Sequence, residues 1–168
     1  HLKAWQRIPD VEIAALCNRS KEKLLAKAEA FGVPQNRLFL SIDEMLREAD
    51  LDIVDIVTGP ETHLEMVRKA SAAGKHVMCQ KPFAPSLEEA EQIVEAAEQA
   101  GVRLMVTENW RWLQPFQFIK RQLEQSLIGK IQVIRYYHAD YYTPRMAPGV
   151  PLPQPFFRDM PKLLFYEM

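Results

Sequence analysis

Short apolar runs alternate with single stretches of helical periodicity over the first 108 residues, and this alternation narrows the choice of folds most. Val11 to Cys17 (VEIAALC), Leu38 to Leu40, Ile53 to Thr58 (IVDIVT), His76 to Cys79 and Val102 to Val106 read as strands. Between the first two, Ser20 to Phe31 carries Leu24, Leu25, Ala28 and Phe31 at helical spacing and stops at Gly32. Ser41 and Glu44 form a capping box that opens a brief helix ending near Ala49. Pro60 suits a first helical turn, and Leu64, Val67 and Ala70 supply the apolar stripe of the helix that follows. A second box, Ser86 with Glu89, opens a helix with Leu87, Ala90, Ile93, Val94, Ala97 and Ala100 on one side, ended by Gly101. Strands joined through single helices need crossover connections, which make them parallel and cover both faces of the sheet. Nearly continuous apolar strands are what such a doubly covered sheet requires. The expected class is α/β with a Rossmann-like parallel sheet.

The composition changes after residue 109. Twelve of the sixteen aromatic residues lie between Trp110 and Tyr166, and six of the twelve prolines between Pro144 and Pro161. Phe116, Ile119, Leu123 and Leu127 mark one amphipathic helix, Ile131 to Tyr142 is β-prone, and Thr143 to Pro161 reads as proline-rich loop. We expect residues 1–109 to form an incomplete Rossmann-like domain and residues 110–168 to begin an α+β second domain.

Composition excludes several functions. Lys and Arg number 21 against 22 Asp and Glu, a net charge of −1, which argues against nucleic acid held by bulk positive charge. No apolar run approaches the ~18 residues of a membrane span. The six glycines include no G-x-G pair, so the sequence holds neither a dinucleotide fingerprint nor a P-loop. Cys17 and Cys79 lack C-x-x-C spacing and read as small buried hydrophobes in a reducing, cytoplasmic setting, with a disulfide the weaker alternative. His1, His63, His76 and His138 show no metal-ligand spacing, so no metal site is expected.

In open parallel sheets, ligands bind beyond the carboxyl ends of the strands. The polar residues there are Asn18-Arg19-Ser20, Thr58-Gly59-Pro60, Gln80-Lys81-Pro82 and Glu108-Asn109-Trp110-Arg111. Caps and turns would also explain each of them singly. Three segments go further. Gly74 to Ala84 (GKHVMCQKPFA) resembles the G-K-H-V-x-x-E-K-P-x-A segment of the glucose–fructose oxidoreductase / inositol dehydrogenase family (Gfo/Idh/MocA), whose members are NAD(P)-dependent sugar and polyol dehydrogenases. Thr58 to His63 (TGPETH) resembles that family's T-x-P-x-x-H turn, and Asn109 to Pro115 (NWRWLQP) its N-x-R-aromatic-x-x-P segment.

The resemblance implies hydride transfer between a nicotinamide cofactor and a sugar, polyol or related hydroxy compound. It makes Lys81 a catalytic residue beside the nicotinamide and the substrate hydroxyl, a place where burial and neighbouring charge tune a lysine. Gln80 stands for the family's glutamate, so a charged ribose contact becomes neutral. Pro60 and His63, with Thr58, would flank the cofactor, and Asn109 and Arg111 would face the nicotinamide. A first-turn helix role for His63 and an interdomain ion pair for Arg111 stay open. Asn18, Arg19 and Ser20 stand where an acidic residue would grip the adenosine ribose, and an arginine without a carboxylate favours NADP over NAD. Asn18 and Ser20 also suit plain turn and N-cap roles.

In the family, a first strand and glycine loop precede a segment like His1 to Trp5. Glu167 stands where the catalytic segment has an aspartate, and the histidine expected soon after would lie past Met168. The expectation is a fragment truncated at both ends, inactive and weak in cofactor binding. Without that strand, two apolar edges need partners, so self-association is expected. The alternative is a non-catalytic, self-associating Rossmann-like module.

Overall fold

The computed structural model describes residues 1–137 and Gly149. His1–Thr107 form one unit, and the residues from Glu108 onward belong to a second. In the first unit the order is α1 (Leu2–Trp5), β1 (Leu16–Cys17), α2 (Lys21–Phe31), β2 (Leu38–Phe39), α3 (Ile42–Glu48) and β3 (Ile53–Ile56). It continues with α4 (His63–Ala72), β4 (His76–Cys79), α5 (Leu87–Gln99) and β5 (Leu104–Val106).

Every strand pairing described is parallel, as the crossover helices require. The strands form two ladders: β1 with β2, and β3–β4–β5 with β4 central. Ile56 registers with Cys79, and Cys79 with Val106. β1 and β3 do not close on each other, and their outer edges meet no strand among the described residues. This shortens the first expected strand. Residues 11–15 take no ladder position, because a strand exists only where a neighbour accepts its backbone bonds; only Leu16 and Cys17 find one.

Side chains bridge what the ladders leave apart. Phe39 of β2 and Met45 of α3 join Val54, Ile56, Val67, Ala70, Val77, Cys79 and Ile93 in one buried cluster. Ile93 is wholly buried, worth about 1.5–3 kcal/mol against leaving it in water. The apolar stripe of α5 is narrower than its periodicity suggests: Ile93 and Ala97 are buried, whereas Leu87 is 75% exposed and Val94 is 41% exposed.

The caps hold with one shift. Ser86 Oγ accepts from Glu89 N–H at 3.2 Å. Ser41 Oγ instead takes the N–H of Asp43, one residue earlier than a capping box has it. Gly32 ends α2 at φ 69°, a left-handed C-cap that a side chain would strain.

In the second unit, a 3₁₀ turn at Trp110–Trp112 leads into α6 (Gln114–Glu124). Pro115 sits in its first turn, where the missing N–H costs nothing. Residues 131–137 of the β-prone run form no strand. Residues 138–142 of that run and the proline-rich stretch 143–161, Gly149 apart, lie outside the described residues, as does Glu167.

Candidate cofactor-binding site

Because β3, β4 and β5 run parallel, the turns that follow them share one edge. The ladder extends one residue beyond the strands there: Gln80 N–H donates to Ile56 O at 2.9 Å, and Thr107 N–H to Cys79 O at 2.8 Å. Thr58, Gln80-Lys81 and Thr107 therefore stand together at the carboxyl edge.

Gln80 organises this edge. Its Oε1 accepts the Lys81 N–H at 2.7 Å and the Thr107 hydroxyl at 3.1 Å. Its Nε2 lies 2.9 Å from His1 Nε2. The neutral amide that replaces the expected glutamate is thus a backbone anchor for the next residue, Lys81, which is half-buried and joined to Pro82 by a cis peptide bond.

The turn after β3 is tied internally. The Thr62 hydroxyl lies 2.7 Å from Thr58 Oγ1 and 2.9 Å from Gly59 O. Thr58 is exposed and Pro60 half-buried. His63 has no exposed surface at all; its Nδ1 lies 3.0 Å from Phe83 O and its Nε2 3.1 Å from Thr58 O.

After β1, Asn18 Oδ1 accepts Ser20 N–H at 2.8 Å, and Ser20 Oγ caps α2 by accepting Lys23 N–H at 3.3 Å. Both side chains are thus used by the turn and the helix start. Arg19 between them is exposed and has no side-chain partner among the described residues. Asn109 and Arg111 belong to the second unit. Asn109 precedes the 3₁₀ turn, and the Arg111 guanidinium stands 5.1 Å from the Trp112 ring centre, within cation–π range. That unit holds a cavity of about 540 Å³ lined by Trp110, Trp112, Phe116 and Tyr136 with Arg111, Gln117 and Lys120.

One cluster escaped the sequence reading. Asp55 lies mid-strand in β3, accepting Trp5 Nε1–H at 2.7 Å, with His1 Nδ1 at 2.9 Å. Burial raises its pKa above the ordinary carboxylate value, opposed by the Trp5 hydrogen bond and the N-terminal ammonium. Its signal was present: an aspartate inside IVDIVT would be costly in a doubly covered strand without such partners. Next to it, burial and then the Asp55 charge push the Cys79 thiol up to about 12.

The edge carries hydroxyls and a lysine side chain, with an exposed arginine after β1. These donors fit a ligand carrying ribose hydroxyls and phosphate. Among the described residues, no group of three or more His, Cys, Asp or Glu could hold a metal ion, and no helix is long and apolar enough to cross a membrane.

Residues 1–108 match the model of an oxidoreductase family with an NAD-binding Rossmann fold. The D-apiose dehydrogenase of Paraburkholderia graminis is 44% identical over 129 residues, which are 77% of this chain and 34% of that protein. The chain thus spans about a third of the length of that curated relative. An oxidoreductase from Agrobacterium radiobacter, solved in complex with NAD+, L-tartaric acid and magnesium, superposes with a TM-score of 0.72 at 36% identity, over 77% of this chain and 37% of that one. The WlbA dehydrogenase from Bordetella pertussis, in complex with NADH and UDP-GlcNAcA, gives a TM-score of 0.71 at 30% identity over the same shares.

Proposed function

The chain belongs to the Gfo/Idh/MocA family of oxidoreductases with an NAD-binding Rossmann fold, and from that premise we propose that it is part of an NAD(P)-dependent dehydrogenase acting on a sugar or polyol. The observation that carries this is Lys81, half-buried directly after β4 at the carboxyl edge, its own N–H held by Gln80. When bound, the nicotinamide supplies the carbon that accepts or returns hydride. Lys81 holds the substrate hydroxyl and moves its proton as the carbonyl forms or is reduced. Thr58 and Pro60 border the cofactor from the neighbouring turn. For Asn109, Arg111 and Glu167 the support is the sequence motifs alone: they match positions to which the family gives roles at the nicotinamide and in the catalytic segment. The names of the relatives support the substrate class: an apiose dehydrogenase and a dehydrogenase crystallised with a sugar nucleotide.

We place NADP ahead of NAD because Arg19 is exposed after β1 and has no side-chain partner among the described residues, whereas Asn18 and Ser20 are engaged by the backbone. A second reading, a non-catalytic module that associates with itself, draws on the outer edges of β1 and β3, which meet no strand among the described residues.

Titrating the chain with NADPH and NADH, followed by calorimetry, tests the proposal. Weak binding with a preference for NADPH is expected, and Arg19→Ala should erase the preference. A charge-assisted hydrogen bond of about 1.5–3 kcal/mol corresponds to about 10–100-fold in affinity. Binding of neither nucleotide at millimolar concentration favours the module.

A further inference from the structure

His63 is a polar side chain with no exposed surface, at the first position of α4. Both its contacts are with main-chain carbonyls, and those carbonyls belong to different turns. Thr58 O is in the turn after β3, and Phe83 O is two residues past Lys81 in the turn after β4. Two acceptors face two ring nitrogens. A neutral imidazole carries one N–H and an imidazolium two, so the neutral ring donates to one turn and the protonated ring to both. A buried histidine that only filled space would leave these carbonyls to other donors; here the ring spans the backbones of the two segments that carry Thr58 and Lys81.

The consequence concerns Lys81. On its N-terminal side the turn is anchored by Gln80, whose Oε1 holds the Lys81 N–H and meets the Thr107 hydroxyl. On its C-terminal side the contact is His63 with Phe83 O. With full burial, His63 cannot touch a bound nucleotide or substrate. We propose that His63 is a positioning residue: it pins the Lys81 turn to the Thr58 turn and so sets where the lysine stands relative to cofactor and substrate. The role proposed here for His63 is thus to position the lysine, in place of the direct cofactor contact expected from the sequence. The functional half of the proposal rests on the reading of Lys81 given above; the structural half does not.

The test uses the full chain with His63→Phe, which fills the space but donates nothing, and His63→Gln, which restores one donor. Amide hydrogen exchange is followed residue by residue, and NADPH affinity by calorimetry. Losing a buried hydrogen bond should speed exchange of residues 80–84 about tenfold in His63→Phe, beyond any change at Ile93 in α5. His63→Gln should recover part of that protection, and NADPH affinity should follow the same order. Unchanged exchange at 80–84, or a loss spread evenly through α5, overturns the clamp. Should His63→Phe not fold, ring ¹⁵N spectra of the unaltered chain decide. A His63 N–H that exchanges far more slowly than that of His1 supports it, and equal rates overturn it. If the unaltered chain binds no nucleotide, the reading of Lys81 fails, while the exchange result still judges the clamp.

Discussion

Cys79 is a built-in reporter for the Lys81 turn, and its chemistry can be worked through. The thiol ends β4, has no exposed surface, and donates weakly to Gln80 O at 3.8 Å. Burial raises its pKa from 9.0 to about 12. Only the thiolate attacks a disulfide reagent. At pH 8 an ordinary thiol of pKa 9.0 is about one-tenth ionised, whereas one at about 12 is ionised at about one part in ten thousand. Ionisation alone therefore slows labelling about a thousandfold, and occlusion slows it further. The assay is reaction with an aromatic disulfide reagent at pH 8 in a Cys17→Ser variant, so that Cys79 is the reporting thiol. Labelling should stay at or below one-thousandth of the glutathione rate, then become fast across the urea unfolding transition. A native-state rate within tenfold of glutathione would show that the turn after β4 opens freely, and the burial argument would be wrong. If nucleotide engages this edge, NADPH should lower the rate further.

Three further outcomes are expected. Ile93→Ala removes a wholly buried side chain from the junction of α5 with the core and should cost about 2–5 kcal/mol in urea unfolding; under 1 kcal/mol would mean the core is loose there. Asp55 carries a raised pKa, so the native state holds its proton to higher pH than the unfolded state does. Stability then falls as pH rises from the unfolded to the native pKa, and the penalty persists above the native value and vanishes below the unfolded one. Asp55→Asn, which keeps an acceptor for Trp5, should raise the melting temperature at pH 7 but not at pH 3. Self-association through the β3 edge predicts that Ile53→Lys, at a position 46% exposed, lowers the sedimentation coefficient toward that of a monomer; a monomeric unaltered chain refutes it.

What was legible divides along physical lines. β3 and β4 could be read because a continuous apolar run suits one environment, a doubly covered parallel sheet. Residues 11–15 could not, since a ladder position depends on a neighbour that local sequence does not encode. Periodicity located α5, but it does not say which ridge meets the core; hence the exposed Leu87. The places of Lys81 and Thr58 at the carboxyl edge were legible because a strand followed by a turn fixes where its end residues stand. Asn18 and Ser20 appear in the cap and turn roles that their short polar side chains allow. The burial of His63 was hidden, because its partners are carbonyls 5 and 20 residues away that only the folded chain brings to one ring.

The two ladders share one buried cluster, to which β2 and α3 bring Phe39 and Met45 and β3 brings Val54 and Ile56, and among the described residues no backbone pairing joins them. Hydrogen-bond register is quantised: strands slip by whole residues or not at all. A packed seam is graded, answering to single methylenes. The span from Arg19 to Lys81, which under the proposed function a dinucleotide would have to match, is therefore set by a ruler of side-chain volumes. Substitutions at Phe39 or Met45 would retune it in fractions of an ångström while leaving every polar residue of the edge unchanged.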